Sequence, residues 1–382
     1  MIANPHISLS NEQWSLLRLS CIEGIGPITG RGLIEHFGSA TAVLDATRNQ
    51  LAEVPGIKRK LVDLILDQST STQKAENELE TLNTLAENGS SINLYFLGDE
   101  EYPAYLAHCF DAPLVMFVKG QIPYDAPMIS IVGTRRNTIY SEEALRLLIS
   151  GFAKHRPDLV IVSGLAYGVD RLAHELALEY GLHSLAVVAH GHYTTYPAAH
   201  IGLARRIVET GGGIISEYTY HTRALPQRFV ARNRIVAGLS LATIIAESAV
   251  KGGALITGNI AFDYGRQVYA VPGRLFDKAS EGCNKMIALQ KASIATSPEY
   301  ILEDLNLLDS KPKQLTLPFD EKTEEDTHPI LQLLHKVGEL TIEDLALRLG
   351  EELPSISAQL FDLELDDKIR ALPGGKYIIK NI

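Results

Sequence analysis

Four short blocks of the sequence combine glycine with basic or hydroxyl residues at positions where a buried strand is expected to end. They are ISIVGTRR at 129–136, SGLAYGVD at 163–170, RNR at 232–234 and GGALIT at 252–257. Glycine lets the backbone approach a ligand closely, and a helix that begins after such a turn presents unpaired N–H groups to an anion. Several such turns at one edge of a sheet predict a phosphate-binding rim.

The rim is expected to be basic although the whole chain is acidic. The formal net charge is −11 at pH 7, yet no carboxylate occurs between Glu217 and Glu247, an interval that holds four arginines. Because salt screens exposed charges beyond roughly 10 Å, the local balance matters more than the sum. The composition excludes a surface that coats nucleic acid everywhere but allows one concentrated groove.

The block FVARNR at 229–234 indicates what kind of phosphate ligand the rim takes. Arginine binds phosphate through two parallel hydrogen bonds and stacks on bases, and an aromatic ring adds a stacking surface. This composition suits a single strand with exposed bases. One continuous basic rim is expected from Arg135, Arg136, Arg232, Arg234 and Lys251, with Arg135 and Arg232 on an exposed edge. The residues expected to contact DNA are Gly133, Thr134, Arg135, Arg136, Ser163, Gly164, Ala166, Gly168, Phe229, Arg232, Asn233, Arg234, Lys251, Gly252 and Gly253.

Apolar runs that alternate with amphipathic segments predict the scaffold of the rim. The expected strands are 91–97, 114–119, 128–133, 159–163, 184–188, 213–216, 241–246 and 268–271. Several are continuous apolar runs, which is typical of parallel strands covered on both faces. The predicted fold class is α/β, an extended Rossmann-like doubly wound sheet with a small N-terminal all-α domain and a C-terminal winged helix.

The two ends of the chain lack the alternation of apolar strands and amphipathic helices that marks the sheet region. A helical domain is expected at 1–86, the Rossmann-like domain at 87–308, a linker at 309–327 and a winged helix at 328–382. The helical breaks GIGP at 24–27 and VPGIK at 54–58 resemble paired helix-hairpin-helix motifs of a SAM-like bundle. Such turns aim backbone N–H groups at DNA phosphate, or they are helix caps that bind nothing, and the sequence leaves both open.

The C-terminal segment has the order of a winged helix, three short helices and a hairpin. A duplex-binding transcription factor is therefore an alternative function. Its expected recognition helix, 354–367, carries Asp362, Glu364, Asp366 and Asp367 and no basic residue. Because such a helix repels phosphate, contact with a protein or a structural wing is the better interpretation.

Composition narrows the class of protein further. The three cysteines are widely spaced and odd in number, which indicates neither a disulfide framework nor a zinc site. The N-terminus lacks the pattern of a signal peptide, and no apolar run approaches the ~20 residues of a membrane span. We expect a cytoplasmic protein with no metal, no cofactor and no membrane contact.

These blocks, in this order, resemble the DNA-processing protein A family, also called DprA or Smf, over nearly the whole chain. The similarity lies in VGTRR at 132–136, SGLAYGVDRLAH at 163–174, RNRIVAGLS at 232–240, LIT at 255–257, GRQVYAVPG at 265–273 and GCN at 282–284. The resemblance implies a homodimeric, non-enzymatic protein that binds and protects single-stranded DNA. It also implies a partner, the recombinase RecA, which the family loads during natural transformation.

The chain departs from the family pattern at several positions. Gly252 and Ala254 stand where the family usually has serines, Tyr167 where it often has arginine, and Val230 where it has proline. The lost hydroxyls weaken the case for side-chain contacts at that loop, whereas backbone contacts remain available.

An enzyme is the main alternative, because Rossmann-like proteins also bind or hydrolyse nucleotides. No G-x-G-x-x-G motif opens the first helix of the sheet. Glu217 and Glu247 lie at strand ends where a catalytic acid could sit, but no paired base accompanies them, and both could instead orient the arginines.

Histidine clusters are a weaker sign of chemistry. Asp170 and His174 share a helix face and could hold a metal or move a proton. In the structural interpretation the aspartate binds N–H groups of the first helical turn and the histidine bonds to it. His190, His192 and His200, with Tyr193 and Tyr196, could suggest a ligand cluster, but the pair His190 and His192 at a strand end lacks a third ligand at a diagnostic spacing.

Overall fold

The computed structural model describes residues 7–308, 328–366, 368–372 and 375–380. The chain forms two compact units, Met1–Ser310 and Lys311–Ile382. The expected linker at 309–327 lies outside the described residues. Within the described ranges, no helix combines the length and the apolar character needed to cross a lipid bilayer.

The first part of the larger unit is helical. Its helices are α1 (Asn11–Ser20), α2 (Pro27–Phe37), α3 (Ala40–Asp45), α4 (Arg48–Glu53), α5 (Arg59–Leu66) and α6 (Gln68–Glu87). Capping boxes begin α1 and α4. The breaks at 24–27 and 54–58 separate α1 from α2 and α4 from α5, as the sequence predicted. Buried side chains of this bundle pack with Phe96 and Phe117, so the bundle and the sheet share one core.

A mixed sheet of nine strands follows in the described part of this unit. The strands are β1 (Asn93–Phe96), β2 (Val115–Gly120), β3 (Met128–Gly133), β4 (Val160–Ser163), β5 (His183–Val187), β6 (Gly213–Ser216), β7 (Ala242–Glu247), β8 (Gln267–Ala270) and β9 (Ser293–Ile294). Their order is β1-β2-β6-β5-β4-β3-β7-β8-β9. The pairs from β6 to β9 are parallel, whereas β2 pairs antiparallel with both β1 and β6. The strands predicted from apolar runs are confirmed to within two residues; the short edge strand β9 was not predicted.

Helices cover both faces of the sheet. They are α7 (Ala104–Ala107), α8 (Ile139–His155), α9 (Val169–Glu179), α10 (Ile201–Glu209), α11 (Pro226–Leu239), α12 (Ala254–Asp263), α13 (Glu281–Ala288) and α14 (Pro298–Asp304). Side chains alternate between faces along a strand. In β3, Ile129 and Ile131 pack with α8 and α9, whereas Met128 and Val132 pack with α11 and α12. This is the doubly wound arrangement that the sequence predicted.

The strand order reverses at β3. The strands β4, β5 and β6 follow it on one side, and β7, β8 and β9 follow on the other. The chain segments that leave β3 and β7 therefore diverge and open a crevice at the carboxyl ends of the strands. Open α/β sheets bind their ligands at such a switch point.

One element differs from expectation. The block 229–234 lies inside α11, which begins with Pro226 at its first position, instead of forming an exposed edge beside a strand. Arg232 and Arg234 are only 4% and 8% exposed. The expectation that Arg232 lies on an exposed edge is therefore wrong, whereas Arg135 is exposed as expected.

The smaller unit has the winged-helix order. Its elements are α15 (Pro329–Val337), β10 (Glu339–Thr341), α16 (Ile342–Leu349), α17 (Leu353–Leu365), β11 (Ile369–Leu372) and β12 (Lys376–Ile379). The three strands form an antiparallel sheet in the order β10-β12-β11. Ile330, Leu345 and Leu360 are buried between the helices. Asp362 and Glu364 lie exposed on α17, so the helix that would enter a DNA groove is acidic.

Candidate nucleic-acid interface

A cavity of about 320 Å³ opens between the ends of β3 and β7. Its wall joins blocks that are far apart in the sequence, because the switch point brings the ends of their elements together. Among the residues expected to contact DNA, those that line it are Gly133, Thr134, Arg135, Ala166, Phe229, Arg232, Asn233, Gly252 and Gly253.

The cavity wall contains unpaired backbone donors. Within the described ranges, the N–H groups of Arg135, Gly253 and Ala254 have no acceptor. Gly253 and Ala254 begin α12, and no side chain caps that helix. A helix N-terminus carries a partial positive charge and free N–H groups. The cavity can therefore bind an anion through its backbone, with the exposed Arg135 guanidinium beside it.

Arg232 forms the floor of the cavity. Its Nη1 donates to the carbonyl of Gly164, at 2.6 Å, and to the carbonyl of Val187. A Cβ placed on Gly164 would lie 2.5 Å from the guanidinium, so glycine allows the arginine to lie against the backbone. Burial lowers the pKa of Arg232, and Asp170 opposes that shift. The guanidinium is fixed in position before any ligand arrives.

Asp170 lies in the same cavity and balances part of this charge. Its side chain accepts from the N–H of Ala166 at 3.4 Å. Burial raises the pKa of this carboxyl, while Arg232 lowers it. His174 bonds to Ser184 Oγ at 2.7 Å and not to Asp170, which corrects the pairing expected from the sequence. The aspartate was predicted to bind N–H groups of the helix, and it instead holds the loop before α9.

Arg234 points away from the cavity. It forms a buried ion pair with Glu217, and both line a separate cavity beside Gly26 and Pro27, at the start of α2. Burial raises the pKa of Glu217, and Arg234 lowers it. The expectation that Arg234 joins Arg232 in one continuous rim is wrong, because residues two apart on a helix lie on different sides.

The remaining predicted site residues do not line the cavity. Ser163 is buried and donates to the carbonyl of Ile131 at 2.6 Å, so it joins two strands. Gly168 has φ +76°, and a Cβ there would lie 2.3 Å from the carbonyl oxygen of Thr134, so it allows two loops to cross. Arg136 and Lys251 are exposed next to lining residues.

The departure at Gly252 has a local cause. A Cβ at this position would lie 2.1 Å from the side-chain oxygen of Ser248. Ser248 also lines the cavity, so a hydroxyl group is still present beside Gly252. Sequence reasoning missed Ser248 because it lies four positions before the glycines.

Aromatic rings at the mouth of the cavity were only partly anticipated. The Tyr196 ring lies 5.4 Å from the ring of Phe229. Tyr196 and Tyr167 are each about half exposed, at 51% and 49%. The signal that could have found them is their place in the sequence, Tyr167 within the glycine-rich block 163–170 and Tyr196 among the residues that follow β5.

The glutamates and histidines have structural partners. Glu247 is fully buried and accepts from Thr138 N at 2.9 Å, Thr138 Oγ1 at 2.7 Å and Ser141 Oγ at 3.2 Å. It therefore fixes the start of α8 and orients no arginine, whereas Glu217 does pair with one. Among the described residues, no group of three histidine, cysteine or acidic side chains could hold a metal ion.

Comparison with known proteins agrees with this architecture. A family model described as DNA recombination-mediator protein A matches residues 93–306. Models for a SAM-like helix-hairpin-helix tandem and a DprA winged helix domain match residues 16–69 and 316–375.

Individual relatives match over much of their length. Protein Smf of Escherichia coli is 36% identical over 281 residues, which cover 72% of this chain and 74% of that protein. DNA processing protein DprA of Streptococcus pneumoniae is 36% identical over 210 residues, covering 54% of this chain and 72% of that protein.

Solved structures give the same result. The chain is similar to the X-ray structure of DprA from Streptococcus pneumoniae, with a TM-score of 0.59 and 26% identity over 78% of this chain and 99% of that one. A structure of DprA from Helicobacter pylori, described by its single-stranded DNA binding mode, matches with a TM-score of 0.50 and 28% identity, over 56% of this chain and 96% of that one. With the family model spanning the whole switch-point sheet from β1 to α14, the chain belongs to the DprA/Smf family.

Proposed function

We propose that this protein binds single-stranded DNA in the switch-point cavity and delivers the strand to the recombinase RecA without covalent chemistry. The observation that carries the proposal is the convergence of the Arg135 and Arg232 guanidiniums with three unpaired N–H groups in one cavity. The matching family is described as a recombination mediator, and one matching structure is described by its single-stranded DNA binding.

The cavity favours a single strand over a duplex. Phosphate would bind the backbone donors and the guanidiniums, while an unstacked base would lie against Phe229 and Tyr196. A duplex keeps its bases stacked and offers no free face to those rings. The helix that would read a duplex groove, α17, is acidic on its exposed surface.

Binding without catalysis fits the state of the carboxylates. Asp170 is held beside Arg232, and Glu217 is held by Arg234. Neither carboxylate is paired with a base that could activate water. The proposed role is therefore to hold and protect a strand.

The partner proteins are proposed from family membership. A homodimer would present two cavities to one strand and raise its apparent affinity through effective concentration. RecA as the partner would place the activity in the cytoplasm.

The test compares fluorescence anisotropy of an oligothymidine and of a duplex, with the wild type and with Arg206→Ala as a control. Arg206 is exposed on α10, does not line this cavity and forms no ion pair with any described residue. We expect tight single-strand binding, recovery of intact DNA, and faster RecA assembly on DNA coated with a single-strand binding protein. Equal affinity for the duplex, or cleavage of the DNA, would overturn the proposal.

A further inference from the structure

A second cavity, of about 340 Å³, lies beside the first along the same two loops. Leu165 lines the second cavity and its neighbour Ala166 lines the first. In the other loop, Thr194 and Thr195 line the second cavity, while Tyr196 contacts Phe229 of the first. Because consecutive residues face the two cavities, they are neighbours separated by a narrow ridge.

The second cavity carries cations that no carboxylate neutralises by direct pairing. Lys119, at the end of β2, and Arg205, on α10, are exposed and form no ion pair with any described residue. Glu209 also lies in the wall, so Lys119, Arg205 and Glu209 together carry a net charge of +1. The hydroxyls of Thr194 and Thr195 have no partner within the described ranges and can donate to a phosphate oxygen.

A histidine adds a neutral acceptor. His192 Nε2 lies 2.8 Å from the carbonyl oxygen of Phe117, so this nitrogen carries the proton and Nδ1 keeps a lone pair. Burial lowers the pKa of His192 to about 4, which leaves the ring uncharged at neutral pH. An acceptor beside two cations and two hydroxyls suits a nucleotide better than a bare anion, since a base offers N–H groups.

The ridge between the cavities is aromatic and firmly held. Tyr167 lies 5.0 Å from the ring of His200, whose Nδ1 bonds to the carbonyl oxygen of Leu165 at 2.8 Å. Leu165 itself has φ +57°, a strained conformation for a residue with a Cβ. The loop is thereby fixed, and the Tyr167 ring, one residue after Ala166, is half exposed.

We propose that the second cavity binds the continuation of the same single strand, with phosphate at Lys119 and Arg205 and a base against Tyr167. This inference rests on the proposed function, because it extends the strand that occupies the first cavity. It makes the single-strand site longer than the switch-point crevice.

The first test is a salt titration of Lys119→Ala/Arg205→Ala against the matched control Lys154→Ala/Arg206→Ala. Lys154 and Arg206 are exposed and line neither cavity. Each protein binds the shortest oligothymidine that the wild type retains and a much longer one. Removing two phosphate contacts should lower the slope of log affinity against log salt by roughly 1.4 for the long strand, at ~0.7 per contact. The short strand, held in the first cavity, should keep its slope.

The second test replaces the aromatic residue Tyr167. Tyr167→Ala should weaken the long oligothymidine about fivefold to a hundredfold, the range of one lost stacking contact. Tyr124→Ala, an exposed tyrosine outside both cavities, should have no effect.

The outcomes separate the two proposals. If the wild type does not bind single strands, the proposed function fails and this inference fails with it. If the wild type binds but the double variant keeps its slope on the long strand, or loses affinity equally at both lengths, only the second cavity is refuted. If the second cavity accepts a free phosphate compound instead of the strand, the double variant keeps the slope of the wild type on the long strand.

Discussion

The structure makes Arg232→Ala a test of how the cavity is built. The expectation from sequence was that this arginine is a removable surface contact, but it is 4% exposed and donates to two carbonyl groups. Its removal would leave those carbonyls unpaired and Asp170 buried without its nearest cation.

The expected loss can be worked out from these contacts. Leaving a buried acceptor without its donor costs about 1–3 kcal/mol, so the two unpaired carbonyl groups together should lower the free energy of unfolding by roughly 2–6 kcal/mol. For a unit of about 300 residues the entropy of unfolding is about 0.65 kcal/mol/K, so that loss lowers the melting temperature by about 3–9 °C. Arg135→Ala is the matched control, because this exposed side chain should change stability by no more than about 0.5 kcal/mol.

Protonation of Asp170 gives the experiment a pH readout. A carboxyl whose folded pKa is raised destabilises the fold as pH rises above its ordinary value of 3.8, because the folded state then binds more protons than the unfolded state. Removing Arg232 raises that pKa further. The loss of stability of Arg232→Ala relative to the wild type should therefore shrink as pH falls toward 3.8. Adding Asp170→Asn should restore part of that stability at neutral pH.

The assay is thermal unfolding of the wild type, both single variants and Asp170→Asn/Arg232→Ala across this pH range. If Arg232→Ala melts with the wild type at neutral pH, the guanidinium does not support the cavity and our reasoning is refuted.

Three further predictions concern the same unit, each read by thermal or urea unfolding. Gly164→Ala should lower the free energy of unfolding by about 1–3 kcal/mol, because its Cβ would meet the Arg232 guanidinium. Gly253→Ala has open space at the Cβ position and should change it by no more than about 1 kcal/mol, so equal losses would contradict this reasoning. Glu247→Gln should lower the free energy of unfolding by about 1–3 kcal/mol, because glutamine cannot accept all three hydrogen bonds at the start of α8. An unchanged free energy of unfolding would show that those bonds contribute little to stability. Burial lowers the pKa of His192 to about 4 and that of His174 to about 3, so each ring stabilises the fold fully above pH 6.5 and loses that contribution as pH falls. Asp170 acts in the opposite direction over the same range, so the pH profile of the wild type is compared with that of His192→Gln, and identical profiles between pH 6.5 and 4 would refute the prediction for His192.

The fold could be predicted from the sequence because its signals are local. Continuous apolar runs gave the parallel strands, and the glycine-rich turns marked their carboxyl ends. The family resemblance added the order of the domains, and the family membership is confirmed. The edge strand β9 has two residues, too few for a periodic signal.

The site was harder to predict because burial depends on tertiary packing. Nothing in RNR distinguishes an arginine that faces solvent from one that a glycine loop encloses, so Arg232 and Arg234 were misplaced. Their positions two apart on α11 send them to different cavities. The partner of His174 comes from β5, which no spacing along α9 reveals. The DNA contacts themselves remain a prediction.

The most direct test of the central claim is the salt dependence of oligothymidine binding by the wild type, Arg135→Ala and Arg206→Ala. Arg135 lines the cavity and is exposed, so its loss removes a contact without removing support. We predict weaker binding by Arg135→Ala, a slope of log affinity against log salt lower by about 0.7, and an unchanged melting temperature. If Arg135→Ala binds with the affinity and slope of the wild type and of Arg206→Ala, the strand does not enter the switch-point cavity.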